Sequence, residues 1–183
     1  FQLILPVYGF LPILRTRALH LAFAFIIIFL GGRKGKVEEK GIFNRFLDIL
    51  LLVAGVGITG YVFVEYPKII EQYGVATGTG QIVMGLVLVI LILEAARRMI
   101  QPALPAIALL FLLYAIFGHL IPGRVGHPQY DIATLVSMLF LTTGGIWGLL
   151  LGVSADVIAI FVFLGAFIVN TGGGTGFMKL SVK

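Results

Sequence analysis

Apolar residues run along this chain in long blocks, separated by short polar stretches or by glycine and proline. The main blocks cover residues 18–32, 46–64, 81–93, 103–121 and 149–169. A helix that crosses a bilayer needs about 20 predominantly apolar residues. Residues 18–32 are short for that at about 1.5 Å of rise per residue, and extending the helix back to Leu14 restores the length. Ahead of it, residues 1–14 are apolar but broken by Pro6, Gly9 and Pro12, which reads as a helix end followed by an interfacial loop. Residues 131–141 are too short to cross unaided. Placing Ile132, Leu135, Val136 and Leu139 on one helical face predicts an interfacial helix lying along the membrane. The expected fold is all-α: a polytopic helical membrane protein of about five full spans, with a partial N-terminal helix and an interfacial helix.

Composition strengthens that reading. The chain is 60% hydrophobic and only 11% charged over 183 residues, with a mean hydropathy of +1.10. A net charge of +5 raises nucleic acid as a partner, but the lysines and arginines fall in short loops between apolar blocks, where a basic excess orients spans, so no nucleic-acid binding is expected. The densest basic cluster, Arg33, Lys34, Lys36, Lys40 and Arg45 against Glu38 and Glu39, is expected on the cytoplasmic side. Residues 65–80 and 124–145 then face outward, with Tyr61 and Tyr66 in an aromatic belt at that surface. Glu94, Arg97, Arg98, Lys179 and Lys183 face inward. Arg15 and Arg17 are a minor violation, placed outside, and a preceding span ending near Phe10 accommodates them. The absence of cysteine excludes disulfides, thiolate metal sites and a cysteine nucleophile.

The stretch at residues 142–176 carries the most pointed chemistry. Gly144, Gly145 and Gly148 precede its apolar run and Gly172, Gly173, Gly174 and Gly176 follow it, while Ser154 and Asp156 lie inside. Polar groups in hydrocarbon are costly unless they face protein or a water-filled cavity. Asp156 admits two readings, a helix N-terminal charge or a member of a proton or cation pathway. Ser154 reads as a packing or capping hydroxyl, with the ion pathway as the alternative. Gly55, Gly57 and Gly60 offer a neighbouring helix close approach. Glu94 with Arg97 and Arg98 has the i,i+3 and i,i+4 spacing of helix salt bridges, a structural charge cluster. His20, His119 and His127 fall near span ends without paired metal spacing, so no metal site is expected. Gly172 to Gly174 lack the following Lys-Ser or Lys-Thr of a phosphate loop and read as a turn ending the helix. An intramembrane transferase using Asp156 or the Glu94 group lacks a paired-carboxylate, Ser–His or His–metal constellation, so no enzymatic activity is expected.

Four segments in order, LHLAFAF at 19–25, LILEAARRMIQPAL at 91–104, FLLYAIFGHLIPG at 111–123 and GIWGLLLGVSADVIAIFVFLGAFI at 145–168, resemble the fused membrane permease of tripartite ATP-independent periplasmic (TRAP) transporters of the TAXI type. The resemblance implies a small-subunit-like helical scaffold at 1–100, a connecting transmembrane helix at 101–123, and an interfacial helix with the start of the large transporting subunit at 124–183. It implies uptake of organic acids delivered by a periplasmic binding protein, driven by a sodium gradient, across a bacterial or archaeal cytoplasmic (inner) membrane. The family's sodium and substrate sites lie in later re-entrant hairpins, so no sodium ligand is assigned here and no cofactor is expected. Partners implied are the binding protein, the remainder of the large permease subunit and the lipid bilayer. Tyr73, Arg124, His127 and Tyr130 on the outer loops are the candidate docking residues, and Ser154 and Asp156 the candidate pathway residues. The chain departs from the family at Gly144, often acidic there, at Asp156, often a small hydroxyl residue, and at Pro128-Gln129, where glycine is common. The alternative is a helical membrane scaffold or assembly subunit with no substrate route of its own.

Overall fold

The computed structural model describes residues 11–31 and 42–173, and among these every regular element is helical. They are α1 (Ile13–Gly31), α2 (Ile42–Val64), the short α3 (Tyr66–Glu71), α4 (Thr79–Met99), α5 (Ala103–Phe117, extended by a 3-10 turn at Gly118–Leu120), α6 (Ile132–Leu141) and α7 (Leu149–Asn170). A π-helical turn at Ser154–Ile158 interrupts α7. Five of these helices, α1, α2, α4, α5 with its 3-10 turn, and α7, are long and apolar enough to cross a membrane. The basic cluster at 33–40, the lysines at 179 and 183 and the broken apolar stretch at 1–10 lie outside the described residues.

The core forms where α1 meets α2 and α4. Leu14, Ala18, Leu21, Phe25 and Phe29 are buried along α1, and their three- and four-residue spacing puts them on one face. Ile58 and Val62 of α2 and Leu88, Leu91 and Ala95 of α4 pack into the same cluster, which Ile69, Phe140, Leu141 and Trp147 extend. Phe25 lies directly over Gly55, whereas Gly57 and Gly60 face open space, so one of the three glycines foreseen as approach points serves as one. The helix α1 starts at Ile13, just after Pro12, whose carbonyl accepts the Thr16 N–H at 3.0 Å.

Three elements differ from the sequence reading. The loop at 65–80 contains α3, started by Pro67 in its first turn and anchored by buried Ile69. The helix α4 does not stop at Leu93 but continues to Met99, so Glu94, Arg97 and Arg98 are helical residues. In α6 the buried positions are Val136, Ser137, Phe140 and Leu141, and Ile132 is exposed. The predicted face is therefore rotated, with Val136 its only fully buried member. The cause is local: Gly85 of α4 leaves room for Val136 and Phe140. Ser137 is satisfied inside, its hydroxyl donating to the Ala133 carbonyl at 2.6 Å and accepting the Ala76 N–H at 3.3 Å.

Packing is uneven along the chain. The helix α5 and the Ala159–Asn170 half of α7 contain no buried residue, and both are apolar on all sides, as a helix facing lipid or further protein is.

Candidate functional site

The charged residues that the sequence places in an outer loop belong to α1. The Arg15 Nε donates to the Phe63 carbonyl at 3.0 Å, and its guanidinium lies over the rings of Phe63 and Tyr66 at 5.4 and 5.1 Å. It ties α1 to the end of α2. Arg15 and Arg17 are thus helical residues in the first turns of α1.

Arg17 points at α7. Its Nη1 donates to the Trp147 carbonyl at 2.5 Å, and its guanidinium lies flat against Gly152, where any side chain would collide with it. Its Nε is buried without a partner among the described residues. One turn further along α1, His20 Nε2 lies 3.1 Å from Ser154 Oγ. His20 is not near a span end: seven residues after Ile13 places it about 10 Å along the helix axis. Asp156, two residues past Ser154, is exposed, and residues two apart on a helix do not share a face. Arg17, His20 and Ser154 therefore form a polar seam between α1 and α7, at the start of the π-helical turn. Such turns recur at functional sites because the widened backbone re-aims side chains.

The glycine cluster before α7 sets the geometry of this seam. Residues 142–148 fold back on the end of α6: the Ile146 N–H donates to the Leu139 carbonyl at 2.9 Å, and Gly145 rests against the Leu139 backbone. Trp147 is fully buried, its indole N–H donating to the Phe140 carbonyl at 2.5 Å. With the indole fixed, its own carbonyl is presented to Arg17. Chemically, the seam offers a fixed cation, an imidazole and a hydroxyl that both donates and accepts, with the Asp156 carboxylate exposed beyond it. That set suits proton or cation handling, or steering of an anion. The Ser154–His20 contact was invisible to spacing, since 134 residues separate the two. Among the described residues no group of three His, Cys, Asp or Glu could hold a metal ion.

The other candidates resolve differently. Glu94 accepts from Arg97 at 2.7 and 2.9 Å and from Arg98 at 2.7 Å. Arg98 also pairs with buried Asp48 of α2 and lies 5.0 Å over the Phe29 ring. The cluster thus fastens α4 to α2 and α1. Asp48 was passed over in the sequence, although a lone carboxylate in an apolar block is itself a signal.

Of the candidate docking residues, Tyr73 is 92% exposed and adopts a left-handed backbone at φ 50°, uncommon outside glycine. The neighbouring Gly74 abuts Thr142. His127 is turned into its own loop, with Nε2 3.0 Å from the Tyr114 carbonyl, Nδ1 2.7 Å from the Pro128 carbonyl, and its ring against Tyr114 and Tyr130. Two carbonyl acceptors favour the doubly protonated ring and raise the His127 pKa above its ordinary value. Tyr114 in turn donates its hydroxyl to the Val125 carbonyl. The structure thus brings His127 and Tyr130 together, leaves Arg124 exposed in the same loop, and puts Tyr73 in a different one. Beside Tyr73 a cleft of about 380 Å³ opens, lined by Ile13, Leu14, Ile69, Leu141 and Thr142 among others and largely apolar. Protein families, curated proteins and solved structures yield no match to this chain.

Proposed function

We propose that this chain is a membrane component of a secondary active TRAP-type symporter, taking up organic acids delivered by a periplasmic binding protein and driven by an ion gradient, sodium by the family resemblance. In this reading α1, α2 and α4 are scaffold, α5 is the connecting helix, α6 is the interfacial helix, and α7 is the first helix of the transporting part. The observation that carries the proposal is the polar seam. Only the first part of α7 is held to the scaffold, by Arg17 and His20, and past the π turn the helix has no buried residue. A helix tied at one end and free along the rest suits the boundary between a fixed frame and a moving body.

The outer cleft and the loop around His127 and Tyr130 are, in this proposal, the surfaces that meet the binding protein. The test is uptake of a panel of radiolabelled mono- and dicarboxylates in a host lacking the gene that encodes these residues, and in the complemented host, with and without an imposed sodium gradient. Complementation is expected to restore gradient-dependent uptake of one class of acid. Equal uptake of every acid by both hosts refutes the proposal. A second reading, a scaffold with no substrate route, is favoured by the cleft itself, whose lining includes no charged side chain.

A further inference from the structure

Both ring nitrogens of His127 meet carbonyl oxygens: Nε2 lies 3.0 Å from the Tyr114 carbonyl of α5, and Nδ1 lies 2.7 Å from the Pro128 carbonyl of its own loop. A carbonyl can only accept. The neutral imidazole has one N–H and one lone pair, whereas the imidazolium has two N–H groups, so only the protonated ring satisfies both contacts at once. The seat is shaped for this ring. A side chain at Gly118 would run into Nε2 and Cδ2 of His127, Tyr114 meets the ring edge-on with centroids 5.2 Å apart, and Tyr130 lies at 5.3 Å. Tyr114 holds the loop a second time, since its hydroxyl donates to the Val125 carbonyl. The titratable side chains against the ring are therefore two tyrosines. Arg124 and Asp131 share the loop, and His119 at the end of α5 turns its own Nδ1 to the Ile116 carbonyl at 3.0 Å. It is the two carbonyls, with no charged side chain taking part, that raise the His127 pKa. His127 stands beyond Leu120, where the span ends, so its proton exchanges with water.

We propose that His127 is a proton-operated clip that fastens the loop at residues 121–131 to the end of α5. One proton from water adds to the neutral ring, and both N–H groups then donate, one to Tyr114 and one to Pro128. Loss of that proton to water sets a ring lone pair against a carbonyl oxygen, and the ring leaves the Gly118 seat. The Tyr114 hydroxyl, which titrates only near pH 10, keeps its bond to Val125 and remains as the loop's tether. Because the closed loop binds the protonated ring, the clip is closed below the ordinary histidine range and opens as pH rises through the raised value. While it is closed, Arg124 and Tyr130, on either side of His127, are presented in one fixed arrangement. This inference stands on the loop geometry and holds whether or not the chain takes part in transport.

The chain has no cysteine, so a nitroxide carried on Val125→Cys, an exposed position, reports on this loop alone. The experiment reads the mobility of that label by electron paramagnetic resonance, on the purified full chain in lipid nanodiscs, across about pH 5 to 9, which brackets histidine titration. A restrained label at low pH is expected to become mobile in a one-proton transition with its midpoint above about 6.5. The transition is lost when His127→Gln is added and retained with His119→Gln. Adding Gly118→Ala, which blocks the seat but keeps the ring, leaves the label mobile at every pH. A transition that persists in His127→Gln, or a label whose mobility ignores pH with all histidines in place, overturns the proposal. Nitrogen-15 NMR of the histidine-labelled native chain checks the site without any substitution: a His127 ring that titrates at or below about 6.5 refutes it.

Discussion

Replacing Gly152 by alanine tests the seam most directly, because it changes one methyl group at the Arg17 contact. A Cβ at residue 152 would collide with the guanidinium, with Cζ and Nε both only 2.8 Å away. The Arg17 side chain is long enough to retreat, but retreat breaks its bond to the Trp147 carbonyl. A hydrogen bond from a charged group contributes about 1.5–3 kcal/mol. Against that, alanine is favoured over glycine in a helix by about 1 kcal/mol. The expected net loss is about 0.5–2 kcal/mol. In an Arg17→Met background the guanidinium is absent, so Gly152→Ala keeps only the helix-propensity gain and becomes stabilising by about 1 kcal/mol. The coupling between the two sites is thus about 1.5–3 kcal/mol, well outside the additivity expected of independent positions. The assay is reversible unfolding of the four proteins in mixed micelles, read by Trp147 fluorescence. If Gly152→Ala has the same effect with and without Arg17, the guanidinium does not rest on that glycine.

Three further outcomes follow from other contacts. Arg98→Met, which strips buried Asp48 of its guanidinium, is expected to cost about 3 kcal/mol, whereas Arg97→Ala, with its side chain 55% exposed, costs under about 1 kcal/mol; the same unfolding assay ranks them, and equal losses refute the burial argument. Gly85→Leu, forced against Val136 and Phe140, is expected to cost about 1–3 kcal/mol by overpacking and to loosen α6, seen as faster hydrogen exchange in residues 132–141. His127 has a raised pKa, so its contribution to loop order is fully present below the ordinary histidine range and is lost as pH rises through the raised value. Exchange protection of residues 121–131, corrected for intrinsic rates, should therefore fall on the alkaline side, and identical protection on both sides contradicts the two-carbonyl geometry.

The sequence disclosed the spans because lipid imposes a rule that reads directly from residue type: every crossing segment must be long, apolar and internally hydrogen-bonded. Hence α2, α5 and α7 lie close to their predicted blocks, and α1 reaches Ile13 as the length argument required. What it hid is pairing across distance. Arg15 and Arg17 read as loop charges because their acceptors, the carbonyls of Phe63 and Trp147, lie 48 and 130 residues away. His20 read as interfacial for the same reason. The six residues of α3 are too few to show a helical period. The face of α6 was misjudged because Ser137 counts as polar in a sequence, while in the fold its hydroxyl is satisfied within its own helix and by the Ala76 N–H. Ser154 and Asp156 stand out in the sequence as polar residues in a span, but the His20 partner of Ser154 could only come from the fold.

The way α7 is attached also explains why arginine and histidine, rather than more leucine, occupy this part of α1. Apolar side chains in a bilayer gain little by choosing protein over lipid, since both environments are hydrocarbon, so helix association there relies on close packing and on polar contacts. Leu14, Ala18 and Leu21 use the first route toward the core. Toward α7 the second route dominates, through Arg17 on a backbone carbonyl, Gly152 permitting its approach, and His20 on Ser154. Such contacts are few, directional and sensitive to charge, unlike a packed apolar face that holds over its whole length. Beyond Ser154–Ile158 no equivalent contact exists among the described residues, and the Ala159–Asn170 half is all apolar surface. Control over the position of α7 is therefore concentrated in the handful of groups between Trp147 and Ser154, where a single methyl group is enough to alter it.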